Sequence, residues 1–123
     1  MLDHIGFNIT SMASSRDFYD AALAPLGITR AMEFGEWVGY GRNGKPEFWI
    51  GGQKGAKLDG VLHVAFSAGT RAEVDRFYEA ALAAGGRDHG GPGLRPEYHP
   101  DYYAAFVLDP DGHNIEAVCH LPE

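Results

Sequence analysis

The chain has 123 residues, 45% of them hydrophobic, and a formal net charge of −7 at pH 7. That suits one compact domain and argues against a surface built to neutralise nucleic-acid phosphates, so the expected partner is a small molecule. Cys119 is the single cysteine, which excludes an internal disulfide; no apolar run approaches the length of a membrane span and no leader-like stretch precedes the first strand pattern, so a soluble, cytoplasmic protein is expected.

Taken in order, the chain opens with an alternation in which Ile5, Phe7 and Ile9 are apolar while His4, Gly6 and Asn8 are not, the period of a half-buried strand. Thr10 or Ser11 then caps a helix whose Ala13, Phe18, Tyr19, Ala22, Leu23 and Leu26 fall mostly on one face, until Pro25 and Gly27 stop it. Residues 28–34, 36–41 and 46–51 read as three short strands, turned at Gly35 and at Asn43-Gly44. Residues 53–60 carry Gly, Lys and Asp with few apolar anchors and read as a linker.

The order then begins again. A shift of 59 residues lays His4-Ile5-Gly6-Phe7 on His63-Val64-Ala65-Phe66, and Phe18-Tyr19 on Phe77-Tyr78, which marks an internal repeat. Thr70 with Glu73 predicts a capping box, and Val74, Phe77, Tyr78, Ala81 and Leu82 the buried stripe of a second helix ending at Gly85-Gly86. A short strand is expected over 87–90. Residues 91–100 hold two glycines and three prolines, so they are read as an irregular loop able to cover a site. Residues 102–108 and 114–119 close the chain as a hairpin about Asp109-Pro110-Asp111-Gly112, a type I turn pattern. The expected fold is therefore α+β: one domain over 1–123, built from two βαβββ modules (about 1–52 and 61–123) related by a pseudo-twofold repeat, with curved mixed sheets forming a cleft.

Symmetry-related first strands place His4 and His63 where they can face that cleft, and alternation in the last strand puts Glu116 on the same side, away from Ile115 and Ala117. Two imidazoles and a carboxylate suit a divalent first-row metal and leave coordination positions for water or substrate. Trp49 and Phe106 are candidate pocket walls. Arg95 pairs with a substrate carboxylate or simply hydrates, and the second is favoured on sequence grounds. His89, His113 and His120 are placed in turns or the tail and given no role.

Asp3-His4-Ile5-Gly6, the two Phe-Tyr helices, Leu62-His63-Val64-Ala65-Phe66, and Asp109-Pro110-Asp111-Gly112 through Ile115-Glu116 together resemble the vicinal oxygen chelate proteins. These include glyoxalase I, extradiol dioxygenases, methylmalonyl-CoA epimerase and bleomycin-resistance proteins. The resemblance implies a cleft between paired modules, a homodimer, and one divalent ion (Zn, Fe, Mn, Ni or Co) on His4, His63 and Glu116. A fourth ligand position in that pattern falls on Trp49, which cannot ligate, so glyoxalase I chemistry does not carry over directly. Extradiol dioxygenases carry an acid-base tyrosine where this chain has Phe106; His99, Tyr102 and Tyr103 are the candidates to replace it, and strand parity is left open.

Three functions follow as expectations. The favoured one is a metal-dependent lyase or isomerase acting on a small, anionic or aromatic molecule with two vicinal oxygens. The alternatives are an extradiol-type ring-cleaving dioxygenase and a non-enzymatic cleft that sequesters a small aromatic compound.

Overall fold

A computed structural model describes residues 1–52 and 58–123, so most of the expected linker lies outside the described residues. The element order is β1 (Ile5–Asn8), α1 (Met12–Leu23), a single 3-10 turn (Ala24–Leu26), β2 (Thr29–Phe34), β3 (Trp37–Gly41) and β4 (Phe48–Gly51). Then follow β5 (His63–Ser67), α2 (Arg71–Ala83), β6 (Arg87–Asp88), β7 (Gly93–Leu94), β8 (Tyr103–Leu108) and β9 (Asn114–Cys119). The first sheet has the strand order β1-β4-β3-β2 and the second β5-β9-β8-β6, with β7 also paired to β8.

Local chemistry accounts for the boundaries. Ser11 caps α1 by accepting from the Ser14 amide, and Thr70 caps α2 by accepting from the Glu73 amide. The Glu73 carboxylate accepts a hydrogen bond from the Thr70 hydroxyl rather than from the Thr70 amide, so only half of the expected capping box is formed. Asn43 and Gly44 both adopt positive φ, at 55° and 76°, and Lys45 N–H donates to Arg42 C=O at 3.1 Å. That is the primed turn whose twist matches the strands it joins.

The repeat is carried into the hydrogen-bond register. β1 pairs in parallel with β4 so that Gly6 lies beside Trp49, and β5 pairs in parallel with β9 so that Ala65 lies beside Glu116. Gly6 and Ala65 are equivalent under the 59-residue shift, so Trp49 and Glu116 occupy equivalent positions in the two sheets.

One core runs through both modules. Phe18, Tyr19 and Leu23 of α1, Val74, Phe77 and Ala81 of α2, Val38 and Ile50 of the first sheet and Val107 and Ile115 of the second belong to a single buried cluster. On α1, Ser15 is buried where Ala13 was expected, and Ala13 is exposed. Polar contacts tie the modules: Tyr19 Oη donates to Asp109 Oδ2 at 2.5 Å, Thr10 N–H to Asp111 Oδ2 at 2.9 Å, and Arg42 Nη2 to Ser67 C=O, while Arg42 Nε holds Leu26 C=O of its own module.

Two sequence expectations are corrected. Residues 91–100 are not wholly irregular, because Gly93 and Leu94 pair with Ala104 and Tyr103; the prolines sit outside this two-residue edge strand and so cost it no ladder bond. His113 is not an exposed turn residue. It is fully buried, accepts the Leu62 N–H at Nδ1, and packs edge-on against Phe7 at 5.1 Å.

Candidate metal and substrate site

Strand alternation sends the helix-facing residues inward and leaves the other face of each sheet open. In the second sheet, register aligns Ala65, Glu116 and Phe106 across β5, β9 and β8, with His63 one pleat along from Ala65 on the same face. The His63 Nε2 lies 3.1 Å from Glu116 Oε1, and the Tyr102 hydroxyl donates to Glu116 Oε2. The His63 ring stacks on Phe106 at 6.3 Å between centroids and 26° between planes. Covered in this way, Glu116 is only 1% exposed, so it is a buried, fully partnered carboxylate rather than a solvated one.

His4 does not join them. It immediately precedes β1, is turned to Asp3 with Nδ1 2.8 Å from Oδ1, and its side chain is 60% exposed. A hollow of about 400 Å³ follows the seam between the modules and is lined by both His4 and His63, with Arg42, Glu47 and Ser67. Even so, among the described residues no group of three or more His, Cys, Asp or Glu side chains is placed to hold a metal ion. Of the three expected ligands, His63 and Glu116 converge and His4 stands apart.

The three catalytic candidates separate cleanly. Tyr102 reaches Glu116. Tyr103 faces the helix layer and donates to Asp75 of α2 at 2.6 Å. His99 accepts the Asp101 N–H and sets its ring against His120. Burial, reinforced by the hydrogen bond to Glu116, pushes the Tyr102 hydroxyl up to about 12; the bond to Asp75, with burial, does the same for Tyr103, also to about 12. Both hold their protons at neutral pH.

The remaining pocket candidates lie on the open faces as well. Trp49 shares its face with Gly6 and Gly39, and its indole rests directly on Gly39: a Cβ there would come within 2.9 Å of Trp49 Cε2 and 2.8 Å of Pro46 Cβ. Arg95 sits just after β7 with its Cζ 5.4 Å from the centre of the Phe106 ring, its Nη2 donating to Gly91 C=O at 2.7 Å. The guanidinium is tethered to the backbone, and no carboxylate of the described residues pairs with it. A larger hollow, about 690 Å³, lies between the start of α1 and the β2–β3 turn; it is lined by Arg16, Glu33 and Trp37 and by none of the donor residues.

Sequence reasoning missed two things here: the contact between Tyr102 and Glu116, and the seating of Arg95 on Phe106. The first was present as a signal, since Tyr102 and Phe106 are an even number of residues apart and a strand keeps such residues on one face.

Comparison with known proteins follows the same lines. The family model described as glyoxalase/bleomycin resistance protein/dioxygenase superfamily matches residues 1–117. A solved glyoxalase/bleomycin resistance protein from Albidiferax ferrireducens T118 is similar at 28% identity and TM-score 0.78, with 97% of each chain covered. A putative glyoxalase from Bacillus halodurans shares the fold at 23% identity and TM-score 0.69, covering 97% of this chain and 95% of that one. The V278E mutant of glyoxalase I from Zea mays shares it at 19% identity and TM-score 0.74, covering 95% of this chain and 45% of that one. No curated protein matches. Among the described residues no helix is long and apolar enough to cross a membrane. With its repeated module, its strand order and a family match over nearly its full length, the chain belongs to the glyoxalase/bleomycin resistance protein/dioxygenase superfamily.

Proposed function

We propose that this protein is a divalent-metal enzyme of the lyase or isomerase type, acting on a small molecule with two adjacent oxygens. The observation that carries the reading is the pairing of His63 with Glu116 at 3.1 Å on an open sheet face, with Tyr102 holding the second carboxylate oxygen. We assign the third ligand to the partner subunit's His4 in a homodimer. The open faces of both modules support this: His63 is 51% exposed and His4 60%, as expected of half-sites awaiting a second copy.

His63 and Glu116, with the partner subunit's His4, would hold the ion, which when bound would supply Lewis acidity toward vicinal oxygens. The chain supplies the rest. Glu116 is held in one orientation by Tyr102, the ring of Phe106 walls the site beside His63, and Trp49 provides bulk where a ligand would otherwise stand. Tyr102 keeps a proton on Oη beside the ligand carboxylate, which suits a proton donor to a leaving or rearranging oxygen.

Mixing variants tests the site. His4→Ala and Glu116→Ala each lose bound metal alone; when unfolded and refolded together they should recover it in the mixed dimers, because one of the two sites is then intact. Failure to recover any metal after mixing overturns the shared site.

A second reading has its own observation. Tyr102 beside Glu116 restores the acid-base tyrosine that Phe106 removes by position, which favours a ring-cleaving dioxygenase. Oxygen consumption by the Fe(II)-loaded protein with catechols separates the two; none at all leaves the lyase or isomerase reading.

A further inference from the structure

We propose that Arg95 is the specificity-determining residue of this site and that the substrate is a small organic carboxylate whose carboxylate is set apart from its oxygen pair. The inference rests on the reading that His63 and Glu116 hold a metal, and it adds what the other end of the substrate must be.

Arg95 is built into place rather than left on a loop. Its N–H donates to Tyr102 C=O at 2.7 Å, so the residue that braces Glu116 and the residue that carries the guanidinium are joined through the backbone. The guanidinium lies over the Phe106 ring and is tethered to Gly91 C=O. Gly93 helps make the room for it, since a Cβ there would come within 3.1 Å of Nη1.

This seat provides no counter-charge. No carboxylate of the described residues lies within 4.0 Å of the Arg95 guanidinium, a lack it shares with Arg42, Arg76 and Arg87; what sets Arg95 apart is that it also lies over Phe106. Among the described residues Nε and Nη1 have no hydrogen-bond partner and Nη2 spends one of its two hydrogens on Gly91 C=O, so one planar fork, made by the second Nη2 hydrogen with either Nε or Nη1, is left for a carboxylate. An arginine half-buried on an aromatic face without an anion is explained when the anion arrives with the ligand.

Position sets the spacing. Across the second sheet the order is His63 on β5, Glu116 on β9, Phe106 on β8 and then Arg95 beyond β7. Phe106, which stacks with His63 and carries Arg95, thus stands between the guanidinium and the His63–Glu116 pair.

The probes are catechol, 3,4-dihydroxybenzoate and methyl 3,4-dihydroxybenzoate, titrated calorimetrically into the dimer loaded with redox-inert Zn2+. All three carry the same oxygen pair; only the second has a carboxylate. The wild type should bind 3,4-dihydroxybenzoate at least tenfold more tightly than either of the others, and Arg95→Gln should bring the three within about twofold of one another. Catechol binding with no preference for the acid over its ester overturns the role of Arg95 alone, and the wild type decides this even if the variant fails to fold. A preference that survives Arg95→Gln overturns it too. No binding of any of the three overturns this proposal and the metal-site reading together.

Discussion

Tyr102 donates its hydroxyl proton to one oxygen of Glu116 while His63 approaches the other, so a single carboxylate is gripped from two sides. An outer partner of this kind sets the orientation of a ligand and its basicity. Tyr102→Phe should therefore lower metal affinity about 10- to 100-fold, read by competition with a chelator, with an unchanged far-ultraviolet circular dichroism spectrum. Tyr103→Phe is the control, because its hydroxyl goes to Asp75 on the helix side; equal losses in the two variants would remove Tyr102 from the site.

The buried bond from Tyr19 to Asp109, 2.5 Å long, joins the helix of one module to the hairpin turn of the other. Asp109 also accepts the Asp111 and His113 N–H groups through its other oxygen, so losing Tyr19 leaves one carboxylate oxygen buried without a donor. Tyr19→Phe should cost about 1.5–3 kcal/mol, the range for a hydrogen bond to a charged group. Urea unfolding measures it; a change within about 0.5 kcal/mol would mean that water replaces the phenol.

Tyrosine ionisation should be delayed at high pH. Burial is the first cause that raises Tyr19 and Tyr40, and bonding to Asp75 the first for Tyr103. Because folding raises these groups above the ordinary phenol value of 10.0, their neutral forms stabilise the fold in full below about pH 10. That contribution is lost as pH rises through the raised values, which for Tyr103 means about 12. Ultraviolet difference titration should show Tyr19 and Tyr40 ionising only together with unfolding; ionisation of all six tyrosines near pH 10 in a folded protein would contradict their burial.

Gly39 is where the indole of Trp49 meets the backbone, with no room for a β-carbon. Gly39→Val should tip Trp49 off the strand at a cost of about 1–3 kcal/mol. Thermal unfolding gives the cost and tryptophan emission reports the displaced ring. An unshifted spectrum with unchanged stability would show that Trp49 does not lie on this glycine.

What the sequence by itself determined was everything that depends on local period. The 59-residue repeat set the order of elements, the Asn43-Gly44 pair set a turn that needs two positive φ angles, and alternation put His63 and Glu116 on one face. Tertiary structure decided what depends on register and docking. Alternation shows that adjacent tyrosines face opposite ways, but only the connection over 109–113, closed by Asp109 N–H on His113 C=O, sets Phe106 opposite Glu116 and so brings Tyr102 to the site and sends Tyr103 to α2. His113 looked like a turn residue until packing of the two modules buried it on Phe7. His4 parted from His63 and Glu116 for the same reason: the distance between two modules is set by the core that α1 and α2 share, and no strand pattern carries that distance.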